Sequence, residues 1–252
     1  MQMTSRVAGL VAVILSVPAY CANLNEDLIS AAQHGDLAKV QALVAQGAIV
    51  DAHGDNYLTP LILAAQYDHV EVVNFLLARG ANVNMKSRLE VTALMSAARS
   101  GGLETLQTLL DHGADVDTQN ANGSTALMRA VERGREDLTV ALLQHAANVN
   151  LKDNLGRTAL MRAATNGHPR IEELLLGKGA NVDERSNAGW TACMLAAANG
   201  HADTLEVLLA KRADVSAKMN LGWTAEMLAA NKGYAKIVQR LRQASVSTMA
   251  HK

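Results

Sequence analysis

The residues with the softest or most switchable chemistry here are ten methionines, two cysteines and eight histidines, and their spacing decides what they can do. Met95, Met128, Met161, Met194 and Met227 fall 33 residues apart, with Ile62 one step before them. Thioethers are soft ligands that suit copper. A shared ion would need the sulfurs within about 5 Å of one another, given metal–sulfur bonds near 2.3 Å. Residues supplied one per packed helical unit sit about 8–10 Å apart. The methionine column is therefore core filling. His69, His168 and His201 share one register of that 33-residue step, which makes them structural, and His112 and His145 are a full step apart, too far to chelate one ion. Two cysteines, Cys21 and Cys193, exclude a disulfide scaffold and a cysteine-based zinc site. Cys193 falls on an apolar helix position and reads as an inert small hydrophobe. There is no HExxH, GxSxG, CxxC or GK[ST]. No residue is assigned a catalytic, cofactor-binding or metal-binding role. The sulfurs leave one alternative, an accessory role to a periplasmic redox or metal-handling enzyme.

The elements that position these residues come from the same period. Thr59, Thr92, Thr125, Thr158, Thr191 and Thr224 are spaced by 33, without one insertion. Alanine pairs (Ala64-Ala65, Ala97-Ala98, Ala163-Ala164, Ala196-Ala197, Ala229-Ala230) and leucine pairs (Leu76-Leu77, Leu109-Leu110, Leu142-Leu143, Leu175-Leu176, Leu208-Leu209) keep the same step. Each threonine is a helix N-cap whose hydroxyl accepts from the open first turn, and Pro60 suits the first helical position. Alanines allow close packing of the first helix. A glycine about ten residues later (Gly101, Gly134, Gly167, Gly200, Gly233) breaks it. A second helix with apolar residues at helical spacing follows, and Gly80, Gly113 and Gly179 end it. A degenerate copy at Glu26 makes seven units.

A 33-residue unit with a Thr-Pro-Leu start, an alanine pair, a Gly-His turn and a Leu-Leu-x-x-Gly-Ala-x-Val-Asn close resembles the ankyrin repeat. The resemblance runs over about residues 24–244. It implies an all-α solenoid of stacked helix–turn–helix units with projecting turns. The expected organisation is a signal peptide at 1–22, an N-terminal capping repeat at 23–58, five full repeats at 59–223, a C-terminal capping repeat at 224–244 and a disordered tail at 245–252. The last helix is expected to bury Ile237, Val238 and Leu241 under a polar outer face. The histidine that the family carries four positions into the unit is replaced here by Ile62 and the methionines. Ala146 and Arg212 replace the glycine at two helix ends, and Tyr57 and Glu90 replace the turn glycine of Gly123, Gly156, Gly189 and Gly222. Those two early turns are expected to be looser or differently shaped.

At 252 residues with a net charge of -1, the chain is no polybasic nucleic-acid binder. Aromatics at 3% are too few for a stacking platform. Residues 1–22 carry Arg6, an apolar run over Val7–Val17 and Pro18, the pattern of a bacterial-type secretory signal cleaved near 19–22. The expected location is periplasmic or secreted, with an uncleaved N-terminal anchor as the alternative and no membrane insertion once the signal is removed.

In the first helix of each unit, positions 4, 7 and 8 after the threonine share a face by i, i+3, i+4 geometry. The residue before the threonine projects near the same groove. That groove carries Arg99, Arg129, Arg133, Arg157 and Arg162 with one acid, Glu132, and then Trp190 and Trp223 beside Leu195 and Leu228. A basic centre next to an aromatic anchor is binding hot-spot composition. The expected partner of the chain, a monomer, is another protein with an acidic segment.

Overall fold

The computed structural model describes residues 24–100 and 102–249. The leader expected at 1–22, including Arg6 and Cys21, and the turn residue Gly101 lie outside the described residues. Every described element is helical. Each of the six repeated threonines caps its helix. Its hydroxyl accepts from the backbone N–H three residues on, at 3.2 Å for Thr59 and 3.3 Å for Thr92, Thr125, Thr158, Thr191 and Thr224.

The chain forms two compact units, Met1–Asp115 and Val116–Lys252. The first holds α1 (24–34), α2 (Leu37–Ala45), a 3-10 turn (Asp55–Tyr57), α3 (Pro60–Gln66), α4 (Val70–Ala78), α5 (Ala93–Ser100) and α6 (Leu103–Asp111). Here α3 packs on α4 and α5, while α4 packs on α2 and α6. The second holds α7 (Ala126–Glu132), α8 (Glu136–Gln144), α9 (Ala159–Asn166), α10 (Pro169–Gly177), α11 (Ala192–Asn199), α12 (Ala202–Ala210), α13 (Ala225–Asn231) and α14 (Ala235–Met249). In it α7, α9, α11 and α13 stack in one row and α8, α10, α12 and α14 in a second. Like helix on like helix is solenoid packing, the all-α architecture expected from the repeat.

The core is the repeated columns. Leu94, Leu127, Leu160 and Cys193 are all 1% exposed, and Ile62, Met95, Met128, Met161 and Met194 no more than 2%. Met227 breaks the series at 52%.

Polar ties join successive repeats. His69 Nε2 donates to the Gln33 carbonyl at 3.0 Å, and His201 Nε2 to the Thr165 carbonyl at 3.1 Å. Gly167 shows why this turn needs glycine. Its φ is +73°, and a Cβ there would lie 2.6 Å from Nδ1 of His201. At the projecting turns Asn154, Asn187 and Asn220 each donate a side-chain N–H to a carbonyl one repeat back, at 2.9 to 3.0 Å. These ties span repeats where the methionines have displaced the family's histidine.

Two sequence expectations change, at the Glu90 turn and at the tail. Glu90 sits at φ 57° yet closes its turn with the same pair of bonds as Gly123: Ser87 N to Val91 O and Glu90 N to Ser87 O. The earlier turn closes with the same pair, Gly54 N to Leu58 O at 3.3 Å and Tyr57 N to Gly54 O at 3.2 Å, and is reshaped only in that Asn56 as well as Tyr57 is left-handed. Ala146 and Arg212 keep the left-handed helix end at φ 61°, a strain of roughly 1 kcal/mol each. The tail expected from 245 instead begins inside α14, which runs to Met249 because nothing in Gln243-Ala244-Ser245-Val246 stops a helix.

Candidate protein-binding surface

Building the groove from the first helices of the second unit shows that its three expected positions are not equivalent. The residue four after the threonine lies at the floor, and those at seven and eight lie open. Arg162 is 9% exposed, whereas Glu132 and Arg133 on α7 and Thr165 and Asn166 on α9 face solvent. Stacking explains this: α9 is flanked by α7 and α11, so its fourth-position side chain is covered from both sides. Arg162 is thus a buried structural side chain rather than the solvent-facing contact expected from the sequence.

The floor is an ion network organised by a second acid, Asp153, whose side chain is 1% exposed. Its Oδ1 accepts the backbone N–H groups of Leu155 and Arg157, both at 2.9 Å. Its Oδ2 accepts Arg157 Nε and Arg162 Nη2, both at 2.8 Å. Arg162 Nη1 continues to Glu132 Oε2 at 3.2 Å, where Arg129 Nη1 also pairs at 3.8 Å. Burial pushes the Asp153 carboxyl up. The Arg157 backbone and guanidinium, with the charges of Arg157 and Arg162, more than reverse that and hold it below the ordinary aspartate range. The groove centre therefore carries two acids, not the one counted from the sequence.

Arg129, Arg157 and Arg162 are brought together through shared carboxylates. Arg133 is exposed and makes no ion pair among the described residues. Arg99 is exposed at the end of α5 in the first unit. Trp190 and Trp223 stand where two projecting turns close, their carbonyls accepting from Ser186 N and Met219 N at 2.9 Å. Trp190 is half-buried and Trp223 is 39% exposed, with Leu221 beside it at 79%. Past them, Val238 is only half-buried and lines an open hollow of about 460 Å³ with Ala230, Gly233, Ala235, Gln239, Arg242 and Gln243. Of the three residues expected to be buried in the last helix, Ile237 and Leu241 are buried and Val238 only in part.

A sequence signal for Asp153 did exist. Ser87, Asn120, Asp153 and Ser186 share one column and each caps the turn that follows it. Only Asp153 of the four is charged. Glu172 on α10 was also missed. It stands in the buried column of Val40, Val73, Leu106, Thr139 and Leu205 and is 0% exposed. Neither of its carboxylate oxygens has a partner, and burial pushes its pKa up to about 9.

Cys193 is the one cysteine among the described residues and is buried. Burial, then the charges of Asp183, Asp214 and Glu172, pushes the Cys193 thiol up to about 12. No group of three or more histidine, cysteine or acidic residues placed to hold a metal exists among the described residues. No described helix is long and apolar enough to cross a membrane.

A sequence profile of the family Ankyrin repeats (3 copies) matches residues 28–120, 94–186 and 173–250. The chain is an ankyrin-repeat protein. No curated protein matches it. Ankyrin repeats are generally protein-interaction modules and typically non-catalytic.

Proposed function

We propose that this ankyrin-repeat protein is an exported, non-catalytic binding module. It acts in the periplasm or outside the cell as an adaptor, stabiliser or inhibitor of another protein. Export is supported by Arg6, the Val7–Val17 run and Pro18. N-terminal sequencing of protein from fractionated cells tests it, with a start near residues 20–23 expected and an intact Met1 in the cytosol contradicting it.

The observation that carries the binding reading is the second unit's surface, where arginines held by Glu132 and Asp153 are followed in later repeats by half-buried Trp190 and exposed Trp223. Aromatic and arginine side chains dominate binding energy when a partner excludes water from them. With a partner captured by the full chain, Trp190→Ala and Arg129→Glu are each expected to weaken binding at least about tenfold, equal to 1.4 kcal/mol. Circular dichroism should stay unchanged. Normal binding by both variants, together with loss on changing Glu71, Asn74, Glu104 and Gln107, would move the function to the outer helix faces.

A further inference from the structure

We propose that Arg129, Arg133 and Arg157 receive the carboxylates of an acidic peptide segment, with Asp153 and Arg162 beneath them as the pair that positions Arg157. This deepens the protein-binding reading above and rests on it.

The charge count is local. Arg129 and Arg162 share Glu132, and Arg157 and Arg162 share Asp153, with exposed Arg133 next to Glu132 in the chain, whose overall net charge is -1. Guanidiniums outnumber carboxylates in this network, which attracts anionic segments and selects against cationic ones.

The donors left over are the right ones. The Arg157 side chain bonds Asp153 only through Nε, is 43% exposed, and neither Nη makes a hydrogen bond among the described residues. Terminal guanidinium nitrogens held in plane by an Nε anchor are placed for two-point contact with a carboxylate. The anchor is rigid, because Asp153 is gripped by two backbone N–H groups as well as by two guanidiniums. Arg162 contributes from below, and even its Nε is buried without a partner, so this floor is oversupplied with donors.

The geometry favours separate carboxylates over one compact dianion. Glu132 Oε2 sits between Arg129 and Arg162, at 3.8 and 3.2 Å, and would repel a phosphate placed against both. Single charges spaced along a peptide can instead meet Arg157 on the turn and Arg133 at the end of α7.

The test uses the full chain with a capped hexaglutamate peptide, a capped hexaglutamine peptide and inorganic phosphate, followed by calorimetry at low and moderate salt. Hexaglutamate should bind and weaken with salt, while hexaglutamine should not bind. R133Q/R157Q should reduce hexaglutamate affinity at least about tenfold. Asp153→Asn gives the sharpest sign. It adds one unit of local positive charge, so charge alone predicts tighter binding. A positioning role for Asp153 predicts weaker binding, because Arg157 loses its charged anchor.

Tighter binding by D153N would overturn the positioning role. Should D153N lose its helical circular dichroism, R133Q/R157Q decides. Wild-type affinity in that pair, or no hexaglutamate binding at all, would overturn the proposal. Displacement of hexaglutamate by equimolar phosphate would show a compact-anion site instead and overturn it equally. If hexaglutamate fails while a captured partner is still lost on W190A, the acid-recognition proposal falls and the protein-binding reading stands.

Discussion

Asp153 and Glu172 lie 19 residues apart in the second unit, both out of solvent, and their carboxyls shift in opposite directions. Asp153 caps a projecting turn and collects four donors, and its carboxyl stays charged below the ordinary range. Glu172 stands in the second-helix column where α10 packs on α8 and α12, collects none, and is pushed up to about 9. Burial acts on both in the same direction. The number of donors decides the outcome, and with it whether the carboxylate builds a surface or weakens a core.

Removing the satisfied partner should have the larger effect. Asp153→Ala leaves Arg162 buried with only Glu132 and should destabilise by about 3–5 kcal/mol in urea unfolding. Pairing it with Arg162→Leu should recover much of that loss, since two apolar residues replace a buried charged pair. A double variant as unstable as the sum of the singles would show that the two residues do not act as one unit.

Removing the unsatisfied one should stabilise. An ordinary glutamate in the unfolded chain loses its proton near pH 4.5, and folded Glu172 keeps it to about 9. The folded state binds the extra proton across that window, so stability falls as pH rises through it. At pH 7 the cost is about 3 kcal/mol at 1.36 kcal/mol per unit. Glu172→Leu should stabilise by about 3 kcal/mol more at pH 7 than at pH 4, where only the unmet hydrogen bonds of the neutral carboxyl are relieved. Among nearby groups, α8 and α12 bury no charged residue, the buried Arg162 of α9 is engaged by Asp153 and Glu132, and the Cys193 thiol of α11 is neutral in this range. A gain equal at both pH values would mean that Glu172 is ionised in the fold. Asp153 acts the other way, its contribution being present above its unfolded value near 3.8 and lost as pH falls below it.

The smallest contrast is between two hydroxyls in the same layer. Thr139 Oγ1 donates to the Arg135 carbonyl at 2.7 Å, whereas Thr204 Oγ1 is buried without a partner. Thr204→Val should stabilise by about 1 kcal/mol, and Thr139→Val should cost a similar amount, both read from urea midpoints. Equal effects of one sign would remove hydrogen bonding as the discriminating cause.

These contrasts mark where the sequence was readable. Threonine caps, left-handed helix ends and the leucine columns depend on neighbours within a few residues, so a 33-residue period exposes them directly. Trp190 and Trp223 follow from the same register. Arg162 does not, because its burial comes from α7 and α11 on either side and its anchor is nine residues back at Asp153. Glu172 looked like one more acid on an amphipathic helix. Only its column, apolar or threonine in the neighbouring copies, carried the signal, and the cost of placing a carboxyl there is set by α8 and α12. Glu90 shows the converse. A residue ill-suited to its left-handed turn is held there by the same two backbone bonds that close the glycine turns.

The central claim is that donors, not burial, decide which of the two carboxylates stays charged and so builds the arginine surface. Carbon-detected NMR titration of the two side-chain carboxyls in the full chain tests it most directly. The expected result is Glu172 titrating at about 9 and Asp153 below the ordinary aspartate range. Glu172 titrating near 4.5, or Asp153 moving upward with it, would contradict the claim.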